Sequence, residues 1–315
     1  MTFSKIIGSG SYLPDRVLTN QDLEKMLDTT DEWITTRTGI KQRHIIADDQ
    51  VTSDMAYEAS KKALQDANLD AQDIDLIILA TTTPDKIFPS TACTLQAKLG
   101  IPECPAFDVQ AVCSGFIYAL SIAEKFIKTG TSTTALVVGA DAMSRITDYK
   151  DRSNAILWGD GAGAVILTKS NEPGILSTHI HAQGKYEDML HVPRRHDGEL
   201  DTIEMQGNQV FKMAVNTLDA IVDQTLDANQ LKKSDIDWLV PHQANIRILD
   251  ATAKKLSMSM DKVIVTIDKH GNTSAASIPL AFDEGVKAKK IKKGQIVLME
   301  AFGGGFTWGS ALIKY

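Results

Sequence analysis

The stretch DIDLII at residues 73–78 returns 162 residues later as DIDWLV at residues 235–240. Each copy follows a segment whose apolar residues have helical spacing, residues 55–68 and 210–226. Each copy also leads into a short, continuous apolar run, which is typical of a strand buried on both faces. The pair therefore indicates a duplicated unit in which a helix precedes a buried parallel strand.

A second pair of segments repeats with nearly the same offset. In each copy a predicted strand leads through small residues into an apolar helix, and a Lys-Gly turn then leads into another strand. The predicted strands are residues 106–109, 135–139, 263–267 and 296–299, and the two helices end at Phe126 and Val286. Strands that alternate with helices predict an α/β fold with mostly parallel sheets covered on both faces.

The offset divides the chain into two halves of similar size. We predict an N-terminal half at residues 1–170 and a C-terminal half at residues 171–315. Residues 171–208 are polar and contain Gly, Pro and His, so we interpret them as the connection between the halves. No flexible linker separates the halves, and we expect them to pack as one body.

Composition excludes several classes of protein. The 315 residues are 43% apolar and 23% charged, which argues against disorder, and the net charge of −7 argues against a general nucleic-acid binder. Three cysteines at spacings that fit no zinc motif favour a reducing compartment. Because we find no signal peptide and no apolar run long enough to span a membrane, we expect a cytoplasmic protein.

Cys113 lies where a predicted strand ends and a helix begins. Unpaired N–H groups at a helix N-terminus favour the thiolate, which is the reactive form, and they can also bind an oxyanion. A free cysteine is as often a small buried apolar residue, and position alone does not separate these two interpretations. Cys93 and Cys104 lack this setting, and we expect them to be structural.

Two further polar residues follow predicted strands of the second half. His242 comes directly after the strand at 238–240, and Asn272 occupies the turn equivalent to that of Cys113. A loop histidine and an Asn helix cap are the simpler explanations. Pseudo-twofold symmetry, however, would bring the three strand ends together, where open α/β sheets bind ligands.

Glycine-rich segments complete the set of candidate sites. Residues 303–305 are three consecutive glycines, which permit close approach of the backbone to a ligand. The segment GDGAG at residues 159–163 precedes an apolar strand, and we interpret it as packing rather than as a phosphate loop. We predict no metal site.

Four motifs together resemble the β-ketoacyl-[acyl-carrier-protein] synthase III family. They are AVCSGF at 111–116, PHQAN at 241–245, HGNTSAAS at 270–277 and GGGFTWG at 303–309, and the similarity extends from Gly8 to the last strand. The resemblance implies the thiolase fold, with two duplicated halves in five α-β-α-β-α layers, and a homodimer. It implies acyl-CoA and malonyl-acyl-carrier protein as substrates and no separate cofactor, with no nucleic acid or membrane as partner.

The resemblance also implies roles for individual residues. Cys113 is expected to attack a short acyl-CoA, and His242 and Asn272 are expected to bind the malonyl thioester carbonyl during decarboxylation. The N–H groups of Cys113 and Gly304 are expected to form the oxyanion hole. Val112 stands where many members of the family have alanine, as does Ser114, and neither change removes a catalytic group.

The remaining implied roles concern substrate binding. The expected CoA-binding residues are Trp33, Arg37, Arg152 and Asn245. The expected acyl pocket includes Phe88, which would reach across the dimer, and Phe302. The expected carrier-protein patch is Lys212, Arg247, Lys254 and Lys255.

Other functions fit parts of the sequence. The order Cys, His, Asn also occurs in papain-type hydrolases, but residues around Cys113 do not resemble papain and the three lie in a duplication. A non-catalytic binder of CoA or carrier protein would not need the intact triad. A relative that condenses longer acyl groups or makes a secondary metabolite remains an alternative to the enzyme that initiates fatty acid synthesis.

Overall fold

The computed structural model describes residues 2–193 and 201–315. The strands are β1 Phe3–Tyr12, β2 Arg16–Thr19, β3 Gln42–Ile45, β4 Leu76–Ala80, β5 Ala106–Val109, β6 Thr134–Ala142, β7 Asp160–Ser170, β8 Ile175–Ala182, β9 Leu190–His191, β10 Glu204–Met205, β11 Trp238–Pro241, β12 Ile296–Gly303 and β13 Thr307–Lys314. The helices are α1 Asn20–Glu24, α2 Asp31–Thr38, α3 Thr52–Ala67, α4 Thr91–Leu99, α5 Gly115–Lys128, α6 Arg152–Ala155, α7 Gly207–Asn229, α8 Ile246–Lys255, α9 Ile267–His270 and α10 Ser277–Lys287. Short 3-10 turns, Val112–Ser114 and Ser274–Ala276, lead into α5 and α10.

Two mixed sheets carry the duplication. The first has the order β1-β7-β6-β4-β5, in which β4 runs parallel to β5 and β6 and antiparallel pairs join β6 to β7 and β7 to β1. The second has the order β11-β12-β13-β8, with β11 parallel to β12 and antiparallel pairs beyond it. Strands β4, β6, β7 and β1 thus correspond to β11, β12, β13 and β8. The repeat of residues 73–78 at 235–240 marks the first pair, β4 and β11.

The helices and sheets form five layers. Helices α3 and α4 cover one face of the first sheet, α5 and α10 lie between the two sheets, and α7 and α8 cover the outer face of the second. The central layer is apolar because α5 contributes Phe116 and Leu120 and α10 contributes Ile278 and Phe282, all buried. Both sheets are therefore covered on both faces, as their apolar strands require.

Two segments differ from the sequence-based prediction. The predicted strand at 263–267 forms only an isolated bridge between Leu239 and Val263. The Gln243 side chain accepts the backbone N–H of Thr266 at 2.9 Å, and Ile267 then begins α9, so the ladder stops there.

The polar connection at 171–208 also contains more structure than predicted. Its residues 175–182 form β8, a complete edge strand of the second sheet. The sequence signal is weak because only Ile175 of that strand is fully buried. His196, one of the histidines of this connection, lies outside the described residues.

The three cysteines are unpaired, in keeping with the prediction from their number and spacing. Within residues 2–193 and 201–315, no helix has the length and apolar character needed to cross a bilayer. The cytoplasmic location stays a prediction.

Candidate active site

Cys113 sits on a tight turn between β5 and α5. Val112, the residue before it, has a φ of 48°, a left-handed conformation that a β-branched residue rarely adopts. Ser274, 162 residues later, has a φ of 50°. Because the two positions differ by the offset of the repeat, both halves contain the same strained turn, a feature that clusters at functional sites.

The end of β12 lies against the nucleophile turn. A Cβ added at Gly303 would lie 2.8 Å from the backbone nitrogen of Cys113 and 3.2 Å from its Cβ, so only glycine fits there. The next residue, Gly304, packs with similar closeness on the carbonyl of Leu190. The two backbone segments predicted to supply the oxyanion donors are therefore in contact.

Burial controls the protonation of Cys113. The residue is only 3% exposed, and removal from water raises the pKa of its thiol to about 12, although the nearby Ser274 side chain lowers it by a smaller amount. Removal from water therefore opposes the thiolate form that the helix N-terminus is expected to favour. The resting thiol is neutral.

The turn at residues 272–277 connects the three candidate catalytic residues. It begins with Asn272, brings Ser274 beside the Cys113 thiol, and ends with Ser277, whose Oγ lies 2.5 Å from Nδ1 of His242. Its position is fixed from the first half, because the buried Asp141 carboxylate accepts the N–H of Ala275 at 3.0 Å. The turn that begins with Asn272 therefore contacts both Cys113 and His242.

Backbone and side chain both orient Asn272. Its N–H donates to Leu157 O at 2.8 Å and its carbonyl accepts from Gly159 N at 3.0 Å. Its Oδ1 accepts the N–H of Ser274 at 3.0 Å. Since Oδ1 is occupied, the side chain presents its Nδ2 protons as hydrogen-bond donors.

His242 follows β11 and is held by the neighbouring strand. Its N–H donates to Glu300 O on β12 at 2.8 Å. Burial lowers the pKa of its imidazole to about 3, so the ring is neutral at pH 7. A neutral thiol, a neutral imidazole and a carboxamide thus share one dry region, which suits stabilisation of a developing negative charge by hydrogen bonds.

Trp33 forms a separate cluster with two arginines. The guanidinium carbons of Arg37 and Arg152 lie 5.1 and 4.9 Å from the centre of the Trp33 ring. Both arginines are exposed. Asn245 joins the cluster, because its Nδ2 donates to Arg37 O at 3.0 Å while its Oδ1 caps α8. An aromatic face with two guanidinium groups suits a ligand that carries a base and phosphates.

Comparison with known proteins agrees with this geometry. Residues 107–184 match the family model described as 3-oxoacyl-[acyl-carrier-protein (ACP)] synthase III, and residues 226–315 match the model of its C-terminal part. The β-ketoacyl-[acyl-carrier-protein] synthase III of Thiobacillus denitrificans is 64% identical over 319 residues, which cover 100% of both chains.

The chain belongs to the β-ketoacyl-[acyl-carrier-protein] synthase III family. Among solved structures, the 3-oxoacyl-[acyl-carrier-protein] synthase III of Aquifex aeolicus superposes with a TM-score of 0.95 at 50% identity and covers 99% of this chain and 100% of its own. A priming β-ketosynthase from the R1128 polyketide pathway superposes with a TM-score of 0.94 at 34% identity and covers 99% and 96% of the two chains. The thiolase-fold prediction is confirmed, and the chain is an acyltransferase of the condensing type.

The two phenylalanines predicted for the acyl pocket lie in different surroundings. Phe88 is 83% exposed and follows Ile87, which is 82% exposed. Phe302 is buried on β12, with its ring centre 4.6 Å from that of Phe306. In one copy of this synthase, Phe302 therefore lies in the interior and Phe88 lies at the surface. The role of both residues in the acyl pocket stays a prediction.

The predicted carrier-protein patch is split by internal ion pairs. Lys255 donates to Asp219 and Asp223 of α7 at 3.0 and 2.8 Å, and Lys254 pairs with Asp250 at 2.6 Å. The other two members are exposed on neighbouring helices, Lys212 on α7 and Arg247 on α8. The guanidinium carbon of Arg247 lies 5.2 Å from the centre of the Phe211 ring. Lys255 thus fastens α8 to α7 in this synthase.

His270 has a structural setting. It is buried in α9, its Nε2 lies 3.4 Å from Glu284, and burial lowers the pKa of its ring to about 4. Within the described ranges, no group of His, Cys, Asp or Glu is arranged to hold a metal ion.

Arg43 is a site-supporting residue that sequence analysis missed. Its guanidinium is fully buried and donates to Leu18 O at 3.2 Å, Asn20 Oδ1 at 2.9 Å and Ile156 O at 2.7 Å. Its Cβ also lies against Gly159, whose N–H binds Asn272 O. Burial lowers the pKa of this arginine to about 10, so it stays charged at pH 7.

We expect Arg43→Met to lower the free energy of unfolding by about 3 kcal/mol or more, because three buried oxygen acceptors lose a charged donor. Urea denaturation measures this change. Arg16→Met, at an exposed arginine of β2, is the control and should change the midpoint little. Equal midpoints for the two variants would contradict the support role of Arg43.

Proposed function

We propose that this synthase joins acetyl-CoA, or another short acyl-CoA, to malonyl-acyl-carrier protein and so initiates fatty acid synthesis. The products are 3-oxoacyl-acyl-carrier protein, CO2 and CoA. The turn at 272–277 carries the proposal, because it contains Asn272, binds His242 through Ser277 and places Ser274 beside the buried Cys113 thiol. No cofactor takes part in the proposed reaction, since acyl-CoA is a substrate.

In the first half-reaction the Cys113 sulfur attacks the thioester carbonyl of the acyl-CoA. The backbone N–H groups of Cys113 and Gly304 bind the oxyanion, the bond to the CoA sulfur breaks, and the thiol proton leaves with CoA. The acyl group now forms a thioester with Cys113. This covalent intermediate divides the condensation into two easier steps.

In the second half-reaction the malonyl thioester carbonyl accepts hydrogen bonds from His242 and from Nδ2 of Asn272. As the bond to the carboxylate breaks, its electron pair moves into the enolate and CO2 leaves. The enolate carbon attacks the acyl carbonyl on Cys113, and the Cys113 sulfur leaves as a thiolate that takes up one proton from solvent. A neutral His242 suits this role, because it donates a hydrogen bond without placing a buried charge beside the nucleophile.

We propose that Trp33, Arg37 and Arg152 bind the base and phosphates of CoA, with Asn245 near its pantetheine arm. Lys212, Arg247 and Lys254 are proposed to attract the acidic carrier protein, and Lys255 acts by holding α8 against α7. In a homodimer, the exposed Phe88 would be covered by the second copy and close its acyl pocket.

Mass spectrometry of the carrier protein tests the reaction. Malonyl-carrier protein, incubated with the enzyme and acetyl-CoA, should become 3-oxobutanoyl-carrier protein. A series of longer and branched acyl-CoA substrates then gives the chain-length preference. Unchanged malonyl-carrier protein with acetyl-CoA but conversion with a longer primer would favour the polyketide-type alternative, and no conversion with any primer would contradict the proposal.

We expect Arg37→Ala and Arg152→Ala each to raise the KM for acetyl-CoA about tenfold, the effect of losing one hydrogen bond to a charged phosphate. The KM for malonyl-carrier protein should not change, because Arg37 and Arg152 are assigned to the base and phosphates of CoA. Steady-state kinetics with each substrate varied measures both constants. Arg16→Ala is the matched exposed control, and an equal rise in both KM values would contradict the assignment.

A further inference from the structure

Ser277 is a buried residue to which the proposed reaction assigns no role. It is the first residue of α10 and is 1% exposed. Its Oγ lies 2.5 Å from Nδ1 of His242 and 3.3 Å from the backbone nitrogen of Gln243. The hydroxyl therefore stands between the imidazole and the backbone of the residue that follows it.

The direction of these two hydrogen bonds follows from the available protons. The Gln243 N–H has only a proton to give, so Ser277 Oγ accepts it and keeps its own proton free to donate. Nδ1 of His242 is the acceptor within reach. The reverse arrangement, in which Nδ1–H donates to Ser277, would leave a buried hydroxyl proton without an acceptor among the described residues, which is unfavourable.

A neutral imidazole carries one proton. If Nδ1 accepts from Ser277, that proton is on Nε2. We propose that Ser277 is a positioning residue that holds His242 in the Nε2–H tautomer, so that Nε2 donates to the malonyl thioester carbonyl. The inference rests on the role of His242 proposed above, and it adds the group that determines which ring nitrogen is the donor.

The side chain of Gln243 holds in place the backbone N–H that donates to Ser277. The Gln243 side chain donates to Pro241 O at 2.8 Å and to Ile264 O at 3.1 Å, and it accepts from Thr266 N at 2.9 Å. These hydrogen bonds fix the position of the Gln243 backbone N–H, which donates to Ser277 Oγ. Since Ser277 and Asn272 belong to the same turn, one segment orients both donors to the substrate carbonyl.

The tautomer is measurable directly by ¹⁵N NMR on histidine-labelled enzyme, because the shifts of protonated and unprotonated ring nitrogens differ. The chain has seven histidines, and the signals that disappear in His242→Asn assign residue 242. Wild-type enzyme should show a protonated Nε2 and an unprotonated Nδ1. This spectrum needs no Ser277 variant, so it tests the inference even if such a variant does not fold.

We expect Ser277→Ala to give a mixture of the two tautomers and to slow condensation from the acetylated enzyme in proportion to the fraction that lacks the Nε2 proton, about twofold for an equal mixture. Acetylation of Cys113 should proceed at the wild-type rate. Ser277→Thr, which keeps the hydroxyl, should restore the single tautomer and the rate. Ser60→Ala is the control, because it removes a buried hydroxyl from helix α3, more distant in sequence, where Ser60 Oγ donates to Ala56 O.

Four results distinguish the inference from the proposed function. A proton on Nδ1 in wild-type enzyme, or an unchanged tautomer in Ser277→Ala, overturns the inference. A change of tautomer with an unchanged condensation rate overturns the role proposed for His242 as donor and, with it, the positioning role. A mixed tautomer with a slower second half-reaction alone supports both.

Discussion

Cys113→Ser is expected to abolish condensation, with a loss of about 10⁴-fold or more, as for other enzymes that lose their nucleophile. A buried hydroxyl is far harder to deprotonate than the thiol it replaces, so no acyl-enzyme forms. Intact-protein mass spectrometry after incubation with acetyl-CoA shows whether an acetyl group is bound, and a coupled assay gives the rate.

The other two cysteines provide matched controls. Both are half-buried and remote from the 272–277 turn: Cys93 contacts Ala106 O at 3.4 Å and Cys104 contacts Gln96 at 3.4 Å. We expect Cys93→Ser and Cys104→Ser to keep the acetylation of wild-type enzyme. If acetylation persists in Cys113→Ser but disappears in one of the control variants, the nucleophile is not Cys113.

His242→Ala and Asn272→Ala are expected to separate the two half-reactions. Each should still become acetylated on Cys113, because the oxyanion donors of that step are backbone N–H groups. Each should lose decarboxylation by about 10²–10³-fold, the typical cost of one missing donor to a developing oxyanion. Single-turnover measurements with pre-acetylated enzyme and malonyl-carrier protein follow CO2 release.

His179→Ala is the control for these variants, since His179 lies on β8, where it contacts Ser177. It should leave both half-reactions unchanged. If either His242→Ala or Asn272→Ala fails to acetylate although it is folded, the proposed division of labour is wrong. If CO2 release continues at the wild-type rate, the donor role is wrong.

The sequence predicts the parts of the fold that depend on local patterns. Continuous apolar runs identify β4, β6, β11 and β12, and their common offset predicts the duplication. Edge strand β8 escapes detection because it is mostly half-buried and polar. The predicted strand at 263–267 fails because a side chain from elsewhere, Gln243, takes the N–H groups that a ladder would need.

The same distinction holds for the site. Cys113 and His242 are detectable because each follows a strand, and Asn272 is detectable because it lies in the repeated turn that leads into a helix. Ser277 and Arg43 are not, because their partners lie 35 and 113 residues away along the chain.

Charge and protonation depend equally on distant packing. Burial raises the pKa of the Cys113 thiol, and residues distant in sequence contribute to its surroundings: Gly303 packs on its backbone and the Ser274 side chain lowers the pKa by a smaller amount. Lys255 shows the same effect: spacing along α8 places it with Arg247 and Lys254, but Asp219 and Asp223 of α7 determine what it contacts.

The most direct test of the account is a two-stage mass spectrum of the wild-type enzyme. Acetyl-CoA is added first and malonyl-carrier protein second, and the enzyme is digested after each stage. We predict one acetyl group on the peptide that contains Cys113, which disappears in the second stage as an equal amount of 3-oxobutanoyl-carrier protein forms. An acetyl group on any other residue, or one that remains on Cys113 while product accumulates, would contradict the claim that Cys113 carries the acyl group between the two substrates.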